Sequence, residues 1–215
     1  MIYRVGGFLI LLIISLFLGE ICGNTEKACA DTISEIIEMQ KSIKTLSAEF
    51  TQEKHSDLLN TPMITKGVFL FASPEKLIWD YFEGMKITSD GEKVMIYYRE
   101  IKEADIVDLN SMPSLPGNFS IEALKKNYHI EVLEAGEDRY VLRVTPFIPS
   151  NILKEITILL DKKGVPLEVK MIERRGDITI IKFSKMKIND VIPEGTFDIK
   201  APEGIKTRKP LNASK

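Results

Sequence analysis

Few residues in this chain are of a kind that does chemistry. It has two histidines, His55 and His129, and two cysteines, Cys22 and Cys29. Neither histidine belongs to an H-x-x-x-H pair, and no D-x-D-x-D-G loop is present, so no motif assembles a metal site. Both histidines sit in or beside runs of polar residues and read as solvated surface groups. General acid and base catalysis needs a carboxyl group whose neighbours raise its pKa towards neutrality. Asp105 with Asp108 and Glu134 with Glu137 are pairs of the right type. However, a chain with 28% charged residues produces such pairs by chance, and neither pair has a neighbour of that kind. There is no Gly-x-Ser-x-Gly elbow and no glycine-rich phosphate loop. The residues therefore predict a protein that is not an enzyme and needs no metal or cofactor. A secreted hydrolase is the competing reading, and it requires that replacing one paired acid abolish a turnover.

The cysteines take their meaning from the N-terminus. One fixed positive charge, Arg4, precedes the apolar run from Phe8 to Leu18, which spans eleven residues. Crossing ~30 Å of hydrocarbon takes about 20 residues as a helix, so the run has the layout of a secretory signal rather than of a membrane span. Ala28-Cys29-Ala30 offers a small-x-small cleavage site, and cleavage is expected after Ala30. Residues 1–30 are then the signal peptide, and residues 31–215 form a single cysteine-free domain. Lipid attachment is the alternative use of a cysteine. It calls for an apolar residue three places upstream and small neighbours, which Gly19-Glu20-Ile21 before Cys22 and Glu26-Lys27-Ala28 before Cys29 supply poorly. A soluble, untethered product outside the cytoplasm is expected.

Charge excludes one class of partner. With 29 basic and 31 acidic residues there is no cationic excess to release counterions from a nucleic acid. Lys206, Arg208 and Lys209 form a short basic tail of the kind that is usually solvated. The domain length is sufficient for a core without disulfide staples, and a monomer is expected.

The spacing of apolar residues then gives the elements. Ile33, Ile36, Ile37, Met39 and Ile43 recur at helical spacing over 31–43, with Asp31 or Thr32 as N-cap. After Leu46 the period becomes two. Strands are predicted near 45–54, 64–72, 76–83, 85–89, 93–98, 101–107, 128–134, 139–145, 153–161, 166–174 and 177–187, with a short one near 196–200. Tight links at Glu83-Gly84, Asp90-Gly91, Gly136-Glu137, Lys163-Gly164 and Arg175-Gly176 predict antiparallel hairpins. A two-residue Asp90-Gly91 loop would pair Thr88 with Lys93, Ile87 with Val94 and Met85 with Ile96. That leaves one apolar face and one solvated face carrying Lys86, Thr88 and Lys93. Between Asp108 and Asn127 the sheet pattern stops: Pro113, Pro116 and Gly117 make an irregular segment, and Ser120 caps a short helix over 120–126. Its apolar residues suit either a lid or a helix that plugs one end of a barrel. Likewise Leu77, Trp79 and Tyr81, with Phe69 and Phe71 on the neighbouring strand, suit either a filled core or the floor of a roofed cavity.

Taken in order, several motifs resemble the periplasmic carriers of outer-membrane lipoproteins, the LolA family. They are Leu46-Ser-Ala48-Glu-Phe50-Thr-Gln52, Gly67 opening the next strand, and Pro74-Glu-Lys-Leu-Ile-Trp79-Asp-Tyr81. They continue with Ser89-Asp90-Gly91 before Tyr97, Asp161-Lys-Lys-Gly164, and Phe197 before Pro202-Glu-Gly204-Ile205. The resemblance spans nearly all of the domain. It implies a mainly β (α+β) fold: an incomplete antiparallel β-barrel of about eleven strands, closed by the N-terminal helix and a central helical lid over 108–127. It implies a periplasmic carrier that takes acylated lipoproteins from an inner-membrane ABC exporter to an outer-membrane acceptor. On that basis Ile36, Met39, Ile43, Leu46, Phe50, Phe69, Phe71, Leu77, Trp79, Tyr81, Met85, Ile87, Val94 and Ile96 are expected to line the lipid cavity. Met112, Leu115, Phe119, Ile121 and Leu124 are expected to face it from the lid. One departure stands out. The arginine that family members carry before the strand proline, associated with holding the lid shut, is Ser73 here, with Lys76 as the candidate substitute. The alternative within the same fold is a non-transport envelope module, a sensor or anchored receptor that binds another lipid or a partner protein.

Overall fold

The computed structural model describes residues 29–109 and 120–208. Its first element, α1, covers residues 29–41. Asp31 and Thr32 therefore lie inside the helix rather than at its cap, and the carbonyl of Ala30 accepts a bond from Ser34 Oγ at 2.9 Å. Ile33 and Ile36 are buried on one face of the helix. Ile43, just past its end, is buried too, and its amide closes the last turn onto the carbonyl of Gln40.

Eleven strands follow with the boundaries that alternation predicts to within a few residues: β1 (Thr45–His55), β2 (Met63–Ala72), β3 (Lys76–Tyr81), β4 (Met85–Asp90), β5 (Lys93–Tyr98), β6 (Glu103–Asp108), β7 (Tyr128–Ala135), β8 (Arg139–Pro146), β9 (Leu153–Asp161), β10 (Pro166–Glu173) and β11 (Ile178–Ile188). A twelfth, β12 (Lys206–Arg208), closes the described chain. They form one sheet in the order β12-β6-β5-β4-β3-β2-β1-β11-β10-β9-β8-β7. The sheet is open, with β12 and β7 at its edges, so the incomplete barrel expected from the sequence is what the chain forms. Three expectations fail locally. Residues 196–200 are turns and irregular backbone, and the last strand lies further on. It runs parallel to β6, held by Arg208 against Glu103 at 2.8 Å and Asp105 at 3.2 Å. The helix after Ser120, α2, is only Ile121–Leu124. Ser120 does cap it, accepting from the amide of Ala123.

The third failure is one of register. The β4–β5 loop is Gly91-Glu92, so Ser89 faces Val94, Thr88 faces Met95 and Ile87 faces Ile96. Gly91 takes a φ of 96°, the positive φ that a tight hairpin needs at its first central residue. Asp90 fixes the turn by accepting from the amides of Glu92 and Lys93 at 2.8 and 2.7 Å. A slip of two residues keeps every side chain on its own face, but the outer face is not solvated as expected. Ile78, Thr88, Met95 and Ala104 are all buried there. The chain from β11 to β12 has to pass from the middle of the sheet to its edge, and it brings the buried Phe197. The Thr88 hydroxyl is buried there with no hydrogen-bond partner among the described residues.

Candidate lipid site on the concave face

The inner face of the sheet carries the main core. On β1 to β3 it is aromatic. Phe50 stands edge-on to Trp79 at 4.7 Å between ring centroids and to Tyr81 at 5.1 Å. Phe69 lies 4.7 Å from Trp79, and Phe183 of β11 completes the group at 5.8 Å from Phe69. Gly67 makes this packing possible, because it pairs with Phe50 across the β1–β2 ladder. A Cβ there would lie 2.2 Å from the carbonyl of Asp80 and 2.6 Å from the Phe50 ring, so the ring rests directly on glycine backbone. On β8 to β10 the same face is aliphatic: Leu142, Val144, Ile158, Leu160 and Val169 are fully buried.

Space remains on the aromatic side. A cavity of about 200 Å³ lies between α1, β1, β2 and the turns that face them, lined by Ile37, Ile43, Leu46, Phe69, Phe71 and Pro166, with Gln40, Lys41, Ser73, Ser120 and Glu122 among its polar lining. A second hollow of about 330 Å³ opens at the other end of β1 to β3, lined by Gln52, Thr65, Tyr81, Met85 and Tyr98 among others. There the Tyr81 hydroxyl donates to Gln52 Oε1 at 3.1 Å, and burial raises the pKa of the phenol above its ordinary 10.0. A third hollow of about 430 Å³ has a mixed lining, with Met39, Ile43 and Ile188 beside Ser42, Lys162, Lys163 and Asn189.

The expected cavity residues thus divide by position. Ile43, Leu46, Phe69 and Phe71 line the first cavity, Tyr81 and Met85 the second, and Met39 the third. Ile36, Phe50, Leu77, Trp79, Ile87 and Val94 are buried in the core between them, and Ile96 packs against it. Of the lid, Ile121 is fully buried and Leu124 partly so; Met112, Leu115 and Phe119 lie outside the described residues. Sequence reasoning passed over the aliphatic half of the face, where the apolar runs Tyr140-Val-Leu142 and Ile158-Leu-Leu160 interrupt the alternation.

The lid helix is tied down by a residue that the motifs do not single out. Gln40 Nε2 donates to the carbonyl of Gly164 at 3.0 Å, and Gln40 Oε1 accepts from the amide of Ile121 at 2.9 Å. One neutral side chain thereby joins α1, the β9–β10 turn and the start of α2. The turn can come this close because Gly164, at φ 76°, has only hydrogen where a Cβ would lie 3.1 Å from Gln40 Cγ. Lys76 is exposed at the start of β3, and Ser73 lines the cavity with its amide bonded to the carbonyl of Lys44. Among the described residues, Gln40 is a group that bridges α1 to α2.

The residues considered for chemistry are engaged elsewhere. His55 lies 2.8 Å from Glu53, and His129 packs edge-on to Phe147. Glu134 pairs with Arg139 and Asp105 with Arg208. Among the described residues no three histidine, cysteine or acidic side chains are grouped as metal ligands, and no helix is long and apolar enough to cross a membrane.

The described chain is thus an open antiparallel sheet with an apolar inner face, against which α1 and the short α2 pack beside the remaining space. The family described as outer membrane lipoprotein carrier protein LolA matches residues 41–200, and the chain belongs to it. Two similar proteins are both named outer-membrane lipoprotein carrier protein. That of Dechloromonas aromatica (strain RCB) is 26% identical over 186 residues, covering 82% of this chain and 87% of the relative. That of Alkalilimnicola ehrlichii (strain MLHE-1) is 23% identical over 181 residues, covering 81% and 82%. Among solved structures, an uncharacterized conserved protein from Thermus thermophilus shares the fold, with a TM-score of 0.57 at 10% identity over 84% of this chain and 98% of that one.

Proposed function

We propose that this protein is a periplasmic carrier that holds the acyl chains of lipoproteins against the aromatic half of its concave face. It would collect them from an inner-membrane ABC exporter, pass them to an outer-membrane acceptor, and carry out no covalent chemistry. The observation that carries the reading is the lidded cavity beside Leu46, Phe69 and Phe71, in a chain of the LolA family. Its polar rim, with Gln40, Lys41, Ser73, Ser120 and Glu122, suits the glyceryl and peptide head of such a cargo. Burying an acyl chain is worth ~0.8 kcal/mol per CH₂ whether the surroundings are bilayer or protein. Transfer is therefore close to isoenergetic, and its direction comes from ATP use at the exporter and from tighter binding by the acceptor.

At about 200 Å³ the cavity is smaller than the ~300–1,000 Å³ of pockets that enclose a drug-sized ligand. Loading therefore requires α1 and α2 to part from the sheet. What opposes opening is the packing of Ile36 and Ile121 together with the two Gln40 bonds, each worth about 0.5–1.5 kcal/mol net. Burial of an acyl chain exceeds those bonds several-fold. Mass spectrometry of protein purified from its own periplasm tests the reading: a bound diacylated or triacylated lipoprotein is expected. Protein that carries no acylated species, and takes up no fluorescent fatty-acid probe, would instead fit a non-transport module with a solid core.

A further inference from the structure

Nearly all the large apolar side chains that are exposed among the described residues lie at one end of the sheet. Leaving aside Leu133 and Val191, they fall in or beside the β1–β2, β3–β4, β5–β6 and β8–β9 turns. Towards the opposite end, where Gln40 bridges to α2, only Leu133 and Val191 are of this kind among the described residues. The β8–β9 turn is the extreme case. From Phe147 to Ile152 it contains no charged residue, yet Phe147, Ile148 and Ile152 are 47%, 83% and 70% exposed. None of the three lines any of the hollows described above. They project from a turn instead of walling a groove.

The turn is held rigid, with cations on both sides. Ser150 Oγ accepts from the amides of Ile152 and Leu153 at 3.1 Å. Arg174 donates from its side chain to the carbonyl of Ser150 and from its amide to the carbonyl of Ile152, which sets the Arg174-Arg175 pair against the turn. On the other flank the amide of Phe147 bonds to the carbonyl of Asn127, directly after Lys125 and Lys126. The carboxylates flanking the arginines in sequence, Glu173 and Asp177, each lie 3.5 Å from Lys54. Glu83 and Glu100 belong to turns beyond β1 and β11 in the strand order.

We propose that this turn docks on a lipid surface bearing anionic headgroups, with Ile148 and Ile152 entering the interface and the flanking lysines and arginines meeting the phosphates. Exposed apolar tips rimmed by cations supply the two contributions that interfacial binding sums, buried apolar area and attraction to anionic lipid. The surface is separate from the lidded cavity, so it stands or falls independently of the cargo.

The test is flotation of the purified, signal-cleaved protein with vesicles of phosphatidylcholine alone and with about 30% phosphatidylglycerol. Binding is expected to the anionic vesicles, to fall on the order of tenfold with Ile148→Glu/Ile152→Glu, and to fall several-fold with Arg175→Glu on the opposite flank from the lid. Thermal melts matching the parent show that these exposed substitutions leave the fold intact, and a fatty-acid probe titration should be unchanged. Absence of binding to anionic vesicles, or equal binding by the Ile148→Glu/Ile152→Glu variant, would overturn the proposal. Equal flotation on neutral vesicles would overturn the headgroup part. A variant that floats normally but no longer captures a membrane protein complex would mark the turn as a protein dock instead.

Discussion

The two halves of the concave face differ in what they are made of and in whether they leave space. On β8 to β10 the inner residues are, besides Tyr140, mainly aliphatic, with Leu142, Val144, Ile158, Leu160 and Val169 fully buried, and none of these lines the three hollows described above. On β1 to β4 the inner residues include Phe50, Phe69, Phe71, Trp79, Tyr81 and Met85, with a cavity at either end of the aromatic group. Branched aliphatic chains interdigitate to crystal-like density. Large planar rings set edge-on leave gaps at the margins of the group, and methionine adapts to what fills them. On the proposed function, one half is a scaffold, and the other is a surface whose contacts are exchanged for those of a ligand.

The largest effect that could break this division comes from truncating the scaffold. Leu142→Ala and Ile158→Ala should each cost about 2–5 kcal/mol in urea unfolding, with probe affinity unchanged in the protein that remains folded. Phe71→Ala, on the wall of the cavity and only partly buried, should cost clearly less in stability and yet alter probe affinity. If the two kinds of substitution behaved alike, the halves would not be functionally distinct. Next in size is Gly67→Ala. The added methyl collides with the Asp80 carbonyl and the Phe50 ring, so a loss of about 1–3 kcal/mol is expected from overpacking, read as a lower melting temperature. Gln40→Leu keeps the bulk but strands the Gly164 carbonyl and the Ile121 amide. A cost of about 1 kcal/mol is expected, with faster hydrogen exchange at residues 121–126 and faster probe uptake. Unchanged exchange there would remove Gln40 from the closing of the lid.

The smallest effect concerns pH. Burial raises the pKa of the Tyr81 phenol above 10.0, so the folded state holds this proton more tightly than the unfolded chain. The resulting stability is fully present below about pH 10 and is lost as pH rises from there through the folded-state pKa. Tyr81→Phe should flatten that alkaline decline in thermal melts between pH 9 and about 11. An identical slope in both proteins would mean that the phenol is not held in its protonated form by the fold.

Much of this was legible in the sequence. Period-two alternation located every strand from β1 to β11, because one buried face imposes it. The glycine turns identified the hairpins, because only a few loops reverse the chain so tightly. What escaped had non-local causes. The β4–β5 register depended on whether Asp90 sits inside the loop or caps it, which its bonds to Glu92 and Lys93 decide. Thr88 reads as exposed from alternation, yet it is buried on the outer face. The short β12 depends on pairing with β6, from which it is distant in sequence, and on Arg208 meeting Glu103 and Asp105 there. In the site, attention to the aromatic residues found the half of the face where space remains, but the aliphatic half went unnamed. Gln40 was invisible as a polar residue on a helix, since its role comes from a turn more than a hundred residues away and from a lid whose position no local pattern gives.

Trp79 offers the most direct test of the central claim, that acyl chains lie against the aromatic half of the face. It is the sole tryptophan of the chain, it is only 2% exposed, and it lies 4.7 Å from Phe69, which lines the cavity. Titration with a diacylated lipopeptide brominated along its acyl chains should quench Trp79 fluorescence strongly, whereas the unbrominated lipopeptide should not. Binding of the brominated lipopeptide that leaves Trp79 emission unquenched would place the acyl chains elsewhere and contradict the account.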